Sequence, residues 1–216
     1  MKKSLATRSN IYYAVTGLKL LGTVGACVLI MVAEFFIMYY GDDELFKYQM
    51  NTLVMLAMMF LVMFNGIFSL YSANWTDSMV LSMGARRKDI FRGQIIKTVV
   101  AMVLGTGVVI AAMYLTDQMD HLRIVIGMAI AAFPISALFY ALGHKIRKFG
   151  KMGFVVIIMA ATIGGILFGL NAATPGNPLA AFVRNLNTGA IIGIAVVLYL
   201  LFELWAYKLN KKSMVH

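Results

Sequence analysis

The stretch Asn74 to Gln94, NWTDSMVLSMGARRKDIFRGQ, is a polar interruption in a chain that is otherwise a succession of long apolar runs. Within it Arg86, Arg87, Lys88, Asp89 and Arg92 crowd together just after the turn-forming Gly84. Hydrophobic residues make up 61% of the 216 positions and charged residues only 13%, with a mean hydropathy of +0.83. So little polar surface cannot cover a water-soluble globule of this size, which places the chain in a bilayer. The apolar blocks approach the ~20 residues that cross ~30 Å of hydrocarbon as a helix, and they lack the ~10-residue alternation of a membrane β-barrel. The fold class is therefore all-α: a polytopic membrane protein, read as one transmembrane domain over residues 1–216.

Working outward from residues 74–94, the preceding span covers about Thr52 to Ser72 and the following one about Ile95 to Leu115. A first span runs from about Lys19 to Tyr40 and ends at the acidic loop Gly41 to Glu44. A fourth covers Ile124 to Leu142, a short fifth Met152 to Leu170, and a sixth Thr188 to Tyr207. Residues 1–18 mix Lys2, Lys3 and Arg8 with Leu5, Ile11, Tyr12, Tyr13 and Val15, the pattern of a short amphipathic helix in the headgroup region, although a plain basic tail fits it equally. The N-terminal apolar stretch is too long for a signal-peptide core, so the segment is expected to be retained. In the outer loop 171–187, Asn177 before Pro178 predicts a helix cap and a short helix through about Leu186.

Six spans with both termini inside put sixteen of the nineteen Lys and Arg residues on the inner side, leaving Lys47, Arg123 and Arg184 outside. Cytoplasmic segments carry that excess, so the net charge of +10 is a topology signal. Nucleic acid is not an expected partner. Five of the nine acids, Asp42, Asp43, Glu44, Asp117 and Asp120, fall outside. The expected location is the cell membrane, multi-pass.

No inter-span segment is long enough for a nucleotide-binding domain, and no phosphate-binding G-x-x-x-x-G-K-[ST], H-E-x-x-H or G-x-S-x-G string occurs. The chain is expected to be non-catalytic, with no cofactor of its own. Cys27 is single, so no disulfide framework exists within the chain. His121, His144 and His216 lack ligand spacing and read as polar loop residues; no metal site is expected.

Two acids lie inside apolar runs. Burying a charge in hydrocarbon is costly, so each is a functional candidate. Glu203 stands close to Lys208, Trp205 and Tyr207 and reads as reaching the inner interface. Glu34 is deeper than Tyr39 and Tyr40, and is the candidate translocation-pathway residue or a structural polar contact. Met55 to Phe64, MLAMMFLVMF, is a polarizable apolar surface, with lipid-facing filler as the plainer reading. Gly165 with Gly169, and Gly189 with Gly193, are spaced for close helix packing between spans five and six or against a second subunit. Pro134 is expected to kink the fourth span.

LSMGARRKDIFRGQ, following a second span and opening a third, resembles the cytoplasmic coupling region of ABC-2-type transporter permeases, which commonly reads Leu-Ser-x-Gly-x-[Ser/Arg]-Arg-Lys. Six spans, an amphipathic elbow helix at residues 1–18 and a helix-bearing outer loop extend the likeness over the chain. The resemblance implies a permease subunit of an ATP-driven exporter, paired with itself or a sister subunit, with ATP and Mg bound by a separate cytoplasmic ABC ATPase. It implies that Thr76 to Met83 is a coupling helix with Gly84 as its terminator, so that Thr76, Asp77, Met79, Ser82, Gly84, Arg86, Arg87 and Lys88 meet the ATPase. The chain is compact, like small permeases encoded beside separate ATPases in Gram-positive bacteria, which implies an amphiphilic cargo such as a peptide. A membrane-embedded peptide-binding or immunity protein that does not pump is the alternative. An ion-coupled carrier centred on Glu34 is weaker, since no inverted repeat of broken polar spans is visible.

Overall fold

The computed structural model describes residues 5–38, 43–116, 119, 122–146 and 187–212. These form helices and no strand. They are α1 (Leu5–Met38), α2 (Asp43–Tyr71), a π-helical turn (Ser72–Thr76), α3 (Asp77–Ser82), α4 (Arg87–Leu115), α5 (Leu122–Ile146) and α6 (Thr188–Lys212). Five helical stretches are long and apolar enough to cross a membrane, one of them running without a break from Thr52 through the π turn to Ser82. The fifth expected span, Met152 to Leu170, and the outer-loop helix lie outside the described residues.

Two boundaries differ from the sequence reading. The elbow segment is not separate: from Leu5 the described chain runs on into the first span as one helix of 34 residues. At ~1.5 Å per residue it is roughly 50 Å long, well beyond a ~30 Å hydrocarbon core. No proline interrupts Leu5–Met38, so nothing in the local sequence forces the change of direction an elbow requires. The second difference is at Ser72, where the span was expected to end. The helix instead carries on to Ser82.

α1, α2 and α4 pack as the central trio, and α5 closes on them. Their shared core is Leu20 and Val24 from α1, Val54, Met58 and Leu61 from α2, Ala101, Met102, Val109 and Met113 from α4, and Val125 and Ala132 from α5. In hydrocarbon there is little hydrophobic gain in bringing helices together, so fit and interhelical hydrogen bonds carry the association. α6 lies at the edge, edge-on to α5 through Tyr199 and Phe133 and to α4 through Tyr207 and Phe91. Most of its apolar length is exposed, as is the far end of α1 around Leu29, Ile30 and Ile37, as expected of lipid-facing surface. Gly189 and Gly193 are exposed, and among the described residues nothing packs against them. Pro134 is buried within α5, which remains helical through it.

The polar stretch is a helical hairpin. α3 ends with Met83 at its cap and Gly84 in the left-handed region, φ 88°. The Gly84 N–H donates to the Leu81 carbonyl at 2.9 Å and the Ala85 N–H to the Val80 carbonyl at 3.3 Å. This is the Schellman closure, which leaves the C-terminal carbonyls satisfied and needs a residue without a Cβ penalty at positive φ. Arg86 then caps α4, its N–H donating to the Asp89 carboxylate at 3.3 Å. Two stops placed back to back reverse the chain within four residues, Met83 to Arg86.

Candidate functional site

A buried carboxylate ties the hairpin to the bundle. In the π turn the N–H of Asp77 reaches back to the carbonyl of Ser72, five residues earlier. The extra residue in that turn resets the helical phase, so that Asp77 and Val80 face inward while Trp75 is 72% exposed. Asp77 itself is 4% exposed. Its Oδ1 accepts the Tyr13 hydroxyl of α1 at 2.6 Å and the Ser72 hydroxyl at 3.3 Å. Its Oδ2 accepts the Tyr140 hydroxyl of α5 at 2.7 Å, with His144 Nε2 at 3.9 Å. The Tyr140 and His144 rings meet edge-on, centroids 4.7 Å apart. Tyr13 fits because α4 offers Gly93 opposite its ring; any Cβ there would overlap the ring carbons.

A second buried polar group lies further into the bundle. Lys97 of α4 is fully buried, and its Nζ donates to Ser69 Oγ of α2 at 3.2 Å. Ser69 also accepts from Gln94 Nε2 at 2.8 Å and shares a hydrogen bond with Ser136 of α5 at 2.7 Å. Ser136 and Thr98 are 3.0 Å apart. Asp77 and Lys97 are both ionisable and both buried, and each is hydrogen-bonded to neutral side chains. Ionisable groups so placed are tolerated in a membrane protein only when hydrogen-bonded. Two buried polar clusters therefore tie the helices, one joining α1, α3 and α5 and the other α2, α4 and α5. Every member is buried, so the arrangement suits holding and transmitting position rather than chemistry on a substrate.

Of the residues expected to meet a partner, the structure brings most to the hairpin surface and turns one away from it. Met79 and Ser82 are exposed, as are Gly84, Arg86 and Lys88, while Thr76 and Arg87 are half-buried. Tyr12 donates to the Met79 sulfur at 3.8 Å. Asp77 faces the opposite way, into the core, where its carboxylate is engaged by α1 and α5. Glu34 is exposed near the far end of α1 and takes no part in the network. Glu203 is partly buried on α6, one turn after Tyr199.

Sequence reading missed Tyr13, Lys97, Tyr140 and His144 as network members. His144, expected in a loop, belongs to α5 and is buried. Lys97 is one of the sixteen basic residues expected on the inner side, yet it lies fully buried in the bundle. The signal was present: it stands inside QIIKTVVAMV, an ionisable group in an apolar run as much as Glu34 is. Comparison with protein-family models, curated proteins and solved structures finds no match to this chain.

Proposed function

We propose that this chain is the membrane permease subunit of an ATP-driven exporter of the ABC-2 type, and that the α3–α4 hairpin receives a separate cytoplasmic ATPase. The observation that carries the reading is the two-sidedness of α3. Outward, Trp75, Met79 and Met83 form an exposed apolar tip beside Ser82 and Arg86. Inward, Asp77 grips α1 and α5. A partner seated on the tip would act on a short stiff helix whose opposite face is hydrogen-bonded to two spans. Aromatic and Met side chains suit such a contact, and Arg86 would orient it.

The six-span arrangement with both termini on the cytoplasmic side accompanies this proposal. Contacts of Phe133 with Tyr199 and of Lys145 with Trp205 run in the same order along α5 and α6, so these helices are parallel. Parallel neighbours enter the membrane from the same side, which supports the proposed crossing between them. ATP and Mg belong to the partner, the cargo is an amphiphile such as a peptide crossing the cell membrane, and a second permease subunit completes the pathway.

The test is co-expression with an ATPase encoded beside this chain, followed by co-purification and ATPase assay. The complex is expected to form and to be lost in Met79→Glu/Met83→Glu/Arg86→Glu, with the variant still folded by thermal melting. No co-purification of the wild-type pair, or an intact coupled complex in the triple variant, would overturn docking at the hairpin.

A further inference from the structure

We propose that a buried water cluster bridges α2, α4 and α5 at Asn65, inside the bundle. Asn65 is fully buried, and among the described residues neither polar atom of its side-chain amide has a hydrogen-bond partner. Gln94, one level nearer the hairpin, is also buried, and its Oε1 is likewise unpartnered. Gln94 Nε2 and Lys97 Nζ both donate to Ser69 Oγ, at 2.8 and 3.2 Å, and Ser69 Oγ in turn donates to the Asn65 backbone carbonyl at 2.7 Å. An amide left bare in such a place gives up its hydration and gains nothing. Buried polar groups of folded proteins are for that reason bonded either to protein or to ordered water.

Helix register shows what stands level with Asn65. α2 and α4 run antiparallel: Leu61 faces Gly105, and two turns on Ser69 meets Gln94 and Lys97. Asn65, halfway between, is level with Ala101. α2 and α5 run the same way, Gly66 lying beside Ile135 and Phe139 and Leu70 and Ala73 beside Gly143. Ser69 meets Ser136, so Asn65, one turn earlier, is level with Ala132. Ala101 and Ala132 are both buried. A polar side chain set among residues this small leaves room beside it, and the two methyl groups offer neither donor nor acceptor.

The atoms left over select the ligand. Asn65 brings unused donors and an acceptor, Gln94 an acceptor, and Lys97 more protons than its bond to Ser69 consumes. A metal cation could meet the two amide oxygens, but it would have Lys97 beside it and no carboxylate among these residues to neutralise it. An anion could meet the donors and would leave both oxygens bare. Water both donates and accepts, makes about three hydrogen bonds when buried, and can serve all three residues together. The helices are thus joined directly where Tyr13 and Tyr140 meet Asp77, and through exchangeable water deeper in the bundle.

Water-edited solid-state NMR of the full chain in phosphatidylcholine bilayers tests this. It needs no ATPase, so its failure is separate from failure of the transport reading. Magnetisation is started on water and its arrival at assigned, nitrogen-labelled amides is followed. The side-chain amide of Asn65 is expected to receive it at short mixing times, while the backbone amide of Met113, equally buried at the apolar end of the core, receives none. Ala101→Leu fills the room beside Asn65 and should lower the transfer there to the level of Met113. Ala132→Val intrudes less and should reduce the transfer even if the leucine variant does not fold. No transfer to Asn65 in wild type, at a mixing time that saturates the exposed Gly84 amide, would overturn the cluster. So would transfer that persists undiminished in the folded variants, or equal transfer to Met113, which would report diffusion through the protein in place of bound water. Replacing chloride by gluconate should leave the Asn65 and Lys97 resonances where they are. A shift that titrates with chloride would assign the site to an anion and overturn the proposal likewise.

Discussion

Two helices hang on the two oxygens of Asp77. The Tyr13 and Tyr140 bonds, 2.6 and 2.7 Å, are in the range of hydroxyl donors to an ionised acceptor. Removing the acceptor leaves both hydroxyls buried without it, at ~1–3 kcal/mol each. Asp77→Ala is therefore expected to lower stability by roughly 2–5 kcal/mol in a detergent melt. Tyr13→Phe and Tyr140→Phe should each cost about 1.5–3 kcal/mol in wild type and much less on the Asp77→Ala background. Full additivity would mean the network does not exist as described. Gly93→Ala tests the same site from the other side. Its Cβ would collide with the Tyr13 ring, so a loss of ~1–3 kcal/mol is expected, relieved in a Tyr13→Ala background. None of this was legible in the sequence, for a definite reason. Tyr13 and Asp77 lie 64 positions apart, and Tyr140 and Asp77 lie 63 apart, whereas hydrophobic periodicity reports only which face of one helix is buried. An ionisable residue in an apolar run can be suspected; its partner cannot be named.

The helical hairpin was legible in part because its signals are local. A glycine after a run of helix formers, followed by a charged N-terminal turn, marks a stop and a start, and Gly84 and Arg86 fill those positions. Gly84→Ala forces a Cβ into the left-handed region at ~1–2 kcal/mol, and Asp89→Ala removes the carboxylate at the cap at ~1 kcal/mol. Both losses should appear as faster hydrogen exchange in residues 77–92, with the amides around Leu61 and Met102 unchanged. Uniform acceleration across the chain would show that the hairpin does not open by itself. The π turn is a different case. SANWT contains no glycine or proline to mark it, and only the need to face Asp77 inward explains the extra residue. Likewise the continuity of α1 follows from the absence of a breaker, whereas the basic and aromatic pattern of its first residues fitted a separate surface helix equally well.

At the scale of the whole molecule, polar and apolar material are segregated along the bundle axis, and this segregation gives the hairpin its leverage. The network and the basic run share one end: Tyr13, Asp77, Ile90, Tyr140 and Ala206 pack there through two small clusters and the Asp77 bonds. The other end holds the apolar core around Met113 and Val125. Span positions were readable from composition, because ~20 apolar residues have few other places to go. That the hairpin end faces the cytoplasm is part of the proposal, resting on the excess of Lys and Arg near the hairpin. That assignment has a direct check, in a Cys27→Ser background carrying one new cysteine at a time on exposed sites. Met119→Cys, between α4 and α5, is expected to react with a membrane-impermeant maleimide on intact cells. Arg86→Cys and Lys208→Cys should react only after permeabilisation. Labelling of Arg86→Cys from outside would place the hairpin away from any cytoplasmic ATPase and sink the docking proposal. If Arg86 and Lys208 instead labelled from opposite sides, the parallel packing of α5 and α6 would be wrong, and with it the argument for a further crossing between them.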